Sequence, residues 1–379
     1  MSQNQPLEIL MVGPRKHIRG PIPYITDLLV SGLESLGCRV TLLSCWGQDR
    51  PDESVLEKII DRIRDVIFIT KQARARHFDV VYIHSAHDMI YREILLLSAL
   101  RLTKTPAVML FHGSRIEKLS GRKNTVFFVS TWIALKLATG LLVLSTEEEK
   151  AFKSIWPWVR CGVVPNPVKC PPINIRKKTI FQKSSRPFKL IFVGRFIPAK
   201  GVLEIVEAFP KVIQKVQCEL IFAGEGPLLK EMQSRIKKYG LDDKVTFTGY
   251  LDREKMWNLY KEADVLLLPT YHPEGMPMVV LEAMANGVGV ICSRIRGMAD
   301  YLKEGIHALF VPPKAPDILA ERIIELLSNP KILSRMHKAN VDYAQEFDPV
   351  KVARIHLDVI YSLIPELKKR NTKREVQKS

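Results

Sequence analysis

A two-domain α/β chain, with a doubly wound sheet of parallel strands in each domain, is predicted from three observations. The chain starts the same way twice: ILMVGPR from Ile9 and LIFVGRF from Leu190 are both apolar runs of the buried parallel kind that end in a glycine turn. Strand-like runs alternate with helix-length segments on both sides of the midpoint, which is the pattern of βα units with right-handed crossovers. The alternation stops once, over 165–186, where Pro165, Pro167, Pro171 and Pro172 precede basic and polar residues. At 379 residues, 46% of them hydrophobic, there is chain enough for two domains of ~150 to 200 residues, each with its own core.

Taken in order, the first half places strands at its start and at 39–44, 79–84, 107–111, 141–144 and 163–164. The second half places them at 189–193, 219–223, 244–247, 265–268 and 288–292. A last helix runs from Pro349 to about Leu367, crosses back to the first domain, and leads into a basic tail. The organisation is then a Rossmann-like domain over 1–170, a linker over 171–187, a second such domain over 188–348, the closing helix over 349–367 and the tail over 368–379. In open parallel sheets ligands sit outside the carboxyl ends of the strands, so two facing domains make a cleft.

Composition excludes several classes. The start MSQNQPLEILMVG enters a strand without a basic, apolar, cleavable segment, and no run reaches the ~20 apolar residues that span a bilayer, so a cytoplasmic protein is expected. Six cysteines without a C-x-x-C pair or neighbouring histidines predict reduced core thiols and no metal site. A net charge of +17, from 57 Lys and Arg against 40 Asp and Glu, attracts phosphates. Aromatic residues are sparse around the basic stretches and no RNA- or DNA-binding pattern is present, so nucleic acid is not the expected partner. Cations cluster instead at Arg15, Lys16 and Arg19, at Lys71, Arg74 and Arg76, and at Arg115, Lys118, Arg122 and Lys123, the last group leading into the apolar stretch 125–137 with Trp132 in it. That combination suits peripheral attachment to an anionic membrane surface.

The richest segment is PTYHPEGMPMVVLEAMANGVG, from Pro269. It places Glu274 and Glu282 across a loop-to-helix junction, with Gly275 freeing the backbone, Pro277 in the first helical turn and Gly287 ending the helix. Free amides at such a start hold a phosphate, and the two carboxylates then reach hydroxyls on either side of it, the layout of a nucleotide-sugar. Val279, Val280, Leu281, Ala283, Met284 and Ala285 leave the helix almost no polar face, so Glu282 is buried and must be paired or bind a ligand. In the same half, GRFIPAKG puts Arg195 and Lys200 on one loop after a strand, a forked donor and a point charge for a diphosphate. Gly194 in that loop, Gly224 and Gly226 in AGEGP, and Gly249 in FTGYL are glycine turns at three corresponding strand ends, placed to line one pocket.

These segments, in the order LEILMVG, HFDVVYIHSAHD, VMLFHGS, VVPNPV, LIFVGRFIPAKG, LIFAGEGP, VTFTGYL and ADVLLLPTYHPEGMPMVVLEAMANG, resemble glycosyltransferase family 4, retaining enzymes of the GT-B fold. The resemblance implies that Arg195 and Lys200 bind the donor diphosphate, Glu282 the ribose hydroxyls and Glu274 a hydroxyl of the transferred sugar, with amides of Gly275, Met276 and Met278 completing the contacts. It implies that His112, from the opposite domain, contacts the donor sugar near its reacting carbon. The charged set would stabilise the departing diphosphate without a metal or other cofactor, and the absence of a D-x-D sequence agrees. Front-face attack by the acceptor, with the leaving phosphate as base, is further implied. The chain departs from the family in its first loop, where GPRKHIRGPIPY replaces a glycine pair, so Arg15, Arg19 and Gly20 are its acceptor-side candidates. The expected acceptor is a glycan or lipid-linked saccharide of the cell envelope. A nucleotide-sugar 2-epimerase of the same fold and a non-catalytic sugar-nucleotide-binding protein are the alternatives.

Overall fold

A computed structural model describes residues 6–14, 20–46, 55–85, 90–113, 115–119, 125–171 and 186–368 of the 379. Arg15, Lys16, Arg19, Arg122, Lys123, most of the expected linker and the tail beyond Lys368 lie outside the described residues. The chain divides into two compact units, one of residues 1–167 with 349–379 and the other of residues 168–348. Val168 and Cys170 belong with the second unit because the Val168 N–H donates to the Phe347 carbonyl (2.8 Å) and the Cys170 thiol to that of Ala344 (3.3 Å).

The first unit runs β1 (Glu8–Pro14), α1 (Pro21–Ser35), β2 (Arg39–Trp46), α2 (Val55–Ala75), β3 (Val80–Ser85), α3 (Ile90–Arg101), β4 (Ala107–Phe111), α4 (Thr125–Leu137), β5 (Gly140–Val143), α5 (Thr146–Ile155) and β6 (Cys161–Val163). Its six strands are parallel in the order β2-β1-β3-β4-β5-β6. Alternate residues of each strand feed two cores. Leu10 and Val12 of β1 face Ile69 and Ala73 of α2, Leu97 of α3, Ala134 of α4 and Phe152 of α5, whereas Ile9 and Met11 face Leu29 and Leu33 of α1. Both faces are therefore dry, which is why the strands read as continuous apolar runs.

The second unit runs β7 (Phe188–Val193), α6 (Val202–Ile213), β8 (Cys218–Ala223), α7 (Leu229–Lys238), β9 (Val245–Gly249), α8 (Arg253–Glu262), β10 (Val265–Leu268), α9 (Met278–Ala285), β11 (Gly289–Ser293), α10 (Arg296–Tyr301), β12 (Leu309–Val311), α11 (Pro316–Ser328) and α12 (Pro330–Ala344). Its sheet is again six parallel strands, ordered β12-β11-β10-β7-β8-β9. The edge strand β12 was not expected from the sequence. The closing helix α13 (Pro349–Leu363) covers the β1 side of the first sheet, packing Ala353, Leu357 and Ile360 into the core that holds Leu29 and Leu33. Gly32 of α1 permits that contact, because a Cβ there would lie 2.1 Å from the Pro349 carbonyl oxygen.

Candidate functional site

The expected donor-site residues all fall at the carboxyl edge of the second sheet. Gly194 and Arg195 follow β7, Gly224 and Gly226 follow β8, Gly249 ends β9, and 269–277 follow β10. Backbone hydrogen bonds zip these turns together: Gly194 N–H to the Ala223 carbonyl (3.0 Å), Phe196 N–H to that of Glu225 (2.8 Å) and Gly224 N–H to that of Gly249 (2.9 Å). Gly224 has φ 143°, and a Cβ on it would lie 1.9 Å from the Gly194 oxygen, so these two turns interlock only with glycine between them. The β10 loop grips the cationic loop in turn: the Tyr271 and His272 N–H groups and the Thr270 hydroxyl all donate to the Ala199 carbonyl, each at 2.9 Å.

That grip changes the expectation for Lys200. The sequence puts both cations on one loop after a strand, yet of the two only Arg195 is exposed. Lys200 closes a short 3-10 turn (Pro198–Lys200), is 9% exposed, and its ammonium is ion-paired with the Glu274 carboxylate. The His272 ring lies 3.8 Å from the same carboxylate oxygen. The phosphate candidate and the sugar-hydroxyl candidate thus hold each other in a largely buried ion pair. Arg195 carries no ion pair among the described residues, leaving its guanidinium available to an incoming anion.

Pro277 sits one position earlier than expected. It is the N-cap of α9, in extended conformation, and no side chain caps the helix. The Val280 and Leu281 N–H groups donate to the Pro277 carbonyl (3.1 and 3.4 Å), so the amides of Met278 and Val279 are the ones placed for a ligand. Gly275, Met276 and Pro277 are buried, and the Gly275 carbonyl packs so closely on Gly297 that a Cβ there would lie 2.7 Å from it. The glycine requirement shown at this junction is that of Gly297, whereas Gly275 is not among the glycines of positive φ.

Glu282 is buried as the apolar helix demanded, and the partners that its burial called for are inside the protein. Its Oε2 accepts from the Tyr260 hydroxyl (3.1 Å) and its Oε1 from Arg253 (3.2 Å), both on α8. Burial pushes its carboxyl pKa up, against the Arg253 charge and the Tyr260 hydrogen bond that pull it down. A carboxylate so held is oriented, with its remaining acceptor capacity fixed in direction.

In the first unit, His112 follows β4 and is not alone. Its Nε2 lies 2.7 Å from Nδ1 of His84, at the end of β3, and the two rings stack with centroids 5.0 Å apart and planes inclined by 8°. Burial, then the charge of His356, pushes His112 down to about 3; burial, then His112 and His356, holds His84 well below its ordinary value. One imidazole N–H is shared between two neutral rings, and His84 Nε2 is buried without a hydrogen-bond partner. Beside them, the Ser85 hydroxyl donates to Glu93 (2.9 Å), whose carboxylate is ion-paired with Arg92. Sequence reasoning named none of His84, Glu93, Arg253 or Tyr260. The signal for His84 was present in YIHS and LFHGS, where two adjacent parallel strands carry a histidine one residue before and one residue after their carboxyl ends. Gly20, among the acceptor-side candidates, is the N-cap of α1 with φ 139°. Among the described residues no group of three His, Cys, Asp or Glu side chains forms a metal-ligand cluster, and no helix is long and apolar enough to cross a membrane.

The comparisons with known proteins follow the same division. The family described as Glycosyltransferase Family 4 matches residues 24–170, and that described as Glycosyl transferases group 1 matches residues 174–342. An uncharacterized glycosyltransferase of Methanocaldococcus jannaschii is 32% identical over 158 residues, 41% of this chain and 40% of that protein. The UDP-Gal:alpha-D-GlcNAc-diphosphoundecaprenol alpha-1,3-galactosyltransferase of Escherichia coli is 26% identical over 296 residues, 74% of each chain. The match thus spans less than half of the first relative and about three quarters of the second. Among solved structures, Anabaena HepE in complex with UDP and glucose superposes with a TM-score of 0.71 at 17% identity, over 94% of this chain and 100% of that one. At that identity the likeness bears on the fold.

Proposed function

The chain belongs to the GT-B glycosyltransferases that join a family 4 first domain to a group 1 second domain, and from that premise we propose that it moves a sugar from a nucleotide-sugar to a saccharide acceptor with retention of configuration. The observation that carries the reading is the gathering of Arg195, Lys200, Glu274 and the uncapped start of α9 at one sheet edge. As the glycosidic bond breaks, charge grows on the departing diphosphate. Arg195 meets it as a forked donor, the α9 amides meet it with aligned dipoles, and Lys200 turns from Glu274 toward it. Glu274, released from that ion pair, takes a hydroxyl of the sugar, and Glu282, oriented by Tyr260 and Arg253, takes the ribose. His112, held neutral beside His84, serves the sugar as a hydrogen-bonding group rather than as a cation.

Because side chains and amides serve the leaving group, the reaction proceeds without a metal. The acceptor is a saccharide carried on a lipid, a reading supported by the name of the E. coli relative, which gives a diphosphoundecaprenol-linked GlcNAc for that protein; the product serves envelope glycan or glycolipid assembly, and the enzyme works at an anionic membrane surface. The test is transfer from a panel of UDP- and GDP-sugars to lipid-linked saccharides in the presence of EDTA, with the anomeric configuration read by NMR. Retained configuration and EDTA-resistant turnover are expected. Conversion of the donor to its epimer without acceptor favours the epimerase, and strict dependence on added magnesium or manganese overturns the metal-free site.

A further inference from the structure

Three helices on one face of the first sheet leave apolar stripes uncovered. Although α2, α3 and α4 all pack their inner sides into the same core, Ile63 and Ile67 of α2 are 47% and 61% exposed. Leu95 and Leu102, on α3 and just after it, are 52% and 70% exposed, and Val126 and Trp132 of α4 are 69% and 42% exposed. These residues form ridges: Ile63 and Ile67 stand four apart, Leu95 and Leu102 seven apart, and Val126, Val129 (43% exposed) and Trp132 follow in steps of three. The three helices are crossovers between parallel strands on one side of the sheet, α2 passing from β2 over β1 to β3 and α3 and α4 joining neighbours, so they run in the same direction and their carboxyl ends lie along one border.

That border is basic. Lys71 and Arg74 end α2, Arg101 ends α3 and Lys136 ends α4, all of them exposed. Arg101 ties two of the ends together by donating to the carbonyls of Lys136 (2.6 Å) and Leu137 (3.2 Å), and the Lys136 ammonium stands 3.8 Å over the ring of the half-exposed Trp158. Carboxylates are few at this border: α4 has none, Glu93, the single one in α3, is buried on the inner side, and Glu57, Asp61 and Asp65 of α2 all precede Lys71 by six residues or more. Single exposed apolar residues are ordinary on soluble proteins, but three adjacent stripes with a cationic border are not.

We propose that the outer face of α2, α3 and α4 is the surface by which the protein lies on an anionic lipid bilayer, with the apolar stripes entering the headgroup region and the basic border meeting lipid phosphates. A lipid surface matches both features at once, since headgroup phosphates meet the cations of the border while the headgroup–acyl boundary takes the apolar side chains. The assignment deepens the membrane reading above and rests on it for the acceptor's location only. It differs from the sequence expectation in centring on the isoleucines of α2, with α4 as one of three helices.

Co-sedimentation of the full chain with phosphatidylcholine vesicles, with and without phosphatidylglycerol and with no donor present, tests the proposal. Binding to the anionic vesicles alone, weakened by salt, is expected. Ile63→Ser with Ile67→Ser, and separately Lys71→Glu with Arg74→Glu, should each lower the partition about tenfold or more, from the apolar area or the charge removed, at unchanged melting temperature. Equal partition of both variants and parent, or no binding by the parent, overturns it. So does a dimer in sedimentation velocity that these substitutions dissolve while the parent ignores vesicles. Transfer to a soluble saccharide, followed in parallel, reports on the transferase reading independently of the vesicles.

Discussion

Replacing His356 by glutamine isolates one buried imidazole of the first unit and makes its linkage to pH measurable. His356 lies on α13, where its Nε2–H donates to the Pro165 carbonyl (2.9 Å) and its Nδ1 accepts from the Tyr82 hydroxyl (2.9 Å). Burial pushes it down to about 4, against the Pro165 hydrogen bond, while the unfolded chain keeps an ordinary value of about 6.5. A folded value below the unfolded one contributes stability that is present above the unfolded pKa and is lost as pH falls from there toward the folded pKa. Between about pH 7 and about pH 5 the unfolded chain takes up most of one proton that the folded chain refuses, a loss of about 2 kcal/mol. His84 and His112, which face the same region, act in the same sense. Glu93, pushed up by burial, acts in the opposite sense, so the total slope is a mixture. The difference between parent and His356→Gln removes the contribution of Glu93, while the part of the His84 and His112 lowering that His356 causes goes with it in the same sense, so the variant's loss over that range should be smaller by about 2 kcal/mol or more. Hydrogen exchange of β3 and β6 amides at the two pH values reads this unit separately from the second. Parallel slopes for the two proteins would refute the reasoning, since they require that His356 titrates in the fold as it does in the unfolded chain.

Arg195→Ala should cost turnover on the order of 3 kcal/mol, roughly a hundredfold, with an unchanged melting temperature, because the side chain is exposed and meets charge that grows in the transition state. Lys200→Ala should cost as much in turnover and also lower the melting temperature, because it strips the partly buried Glu274 of its ion pair; steady-state rates with calorimetric melting separate the two. Glu282→Gln keeps one carbonyl acceptor for Arg253 and offers an amide N–H that the Tyr260 hydroxyl can accept, but loses the charge that holds the ribose, so donor affinity should fall about tenfold or more while stability changes less. A sharp drop in melting temperature at unchanged donor affinity would make Glu282 a core partner only.

Much of the fold was legible because both faces of each sheet are covered. The strands β4 and β10 match the expected 107–111 and 265–268 residue for residue, as each is an uninterrupted apolar run. The edge strand β12 escaped because Leu309–Val311 is three residues long and pairs only with β11, too short for any period to show. At the site, residue type and chain position marked Arg195, Glu274 and Glu282, since loop glycines and an apolar helix make a charge conspicuous. What each charge touches was not legible. The partners of Glu282 lie 22 and 29 residues away on a neighbouring helix, and the Lys200 pair spans 74 residues. The His84–His112 contact depends on the register of β3 against β4, which aligns Ser85 with Phe111 and lets the His112 N–H reach the Ser85 carbonyl (3.0 Å). Three-dimensional pairing of this kind leaves no local pattern in the chain.

The donor site at the carboxyl edge of the second sheet is tested most directly by melting the parent protein and Arg195→Ala against a panel of UDP- and GDP-sugars. A ligand present at a hundred times its dissociation constant stabilises the folded state by about 2.7 kcal/mol. At least one nucleotide-sugar should therefore raise the melting temperature of the parent, and Arg195→Ala should lose most of that rise. A panel that moves neither protein, or moves both equally, would contradict a donor site built on Arg195.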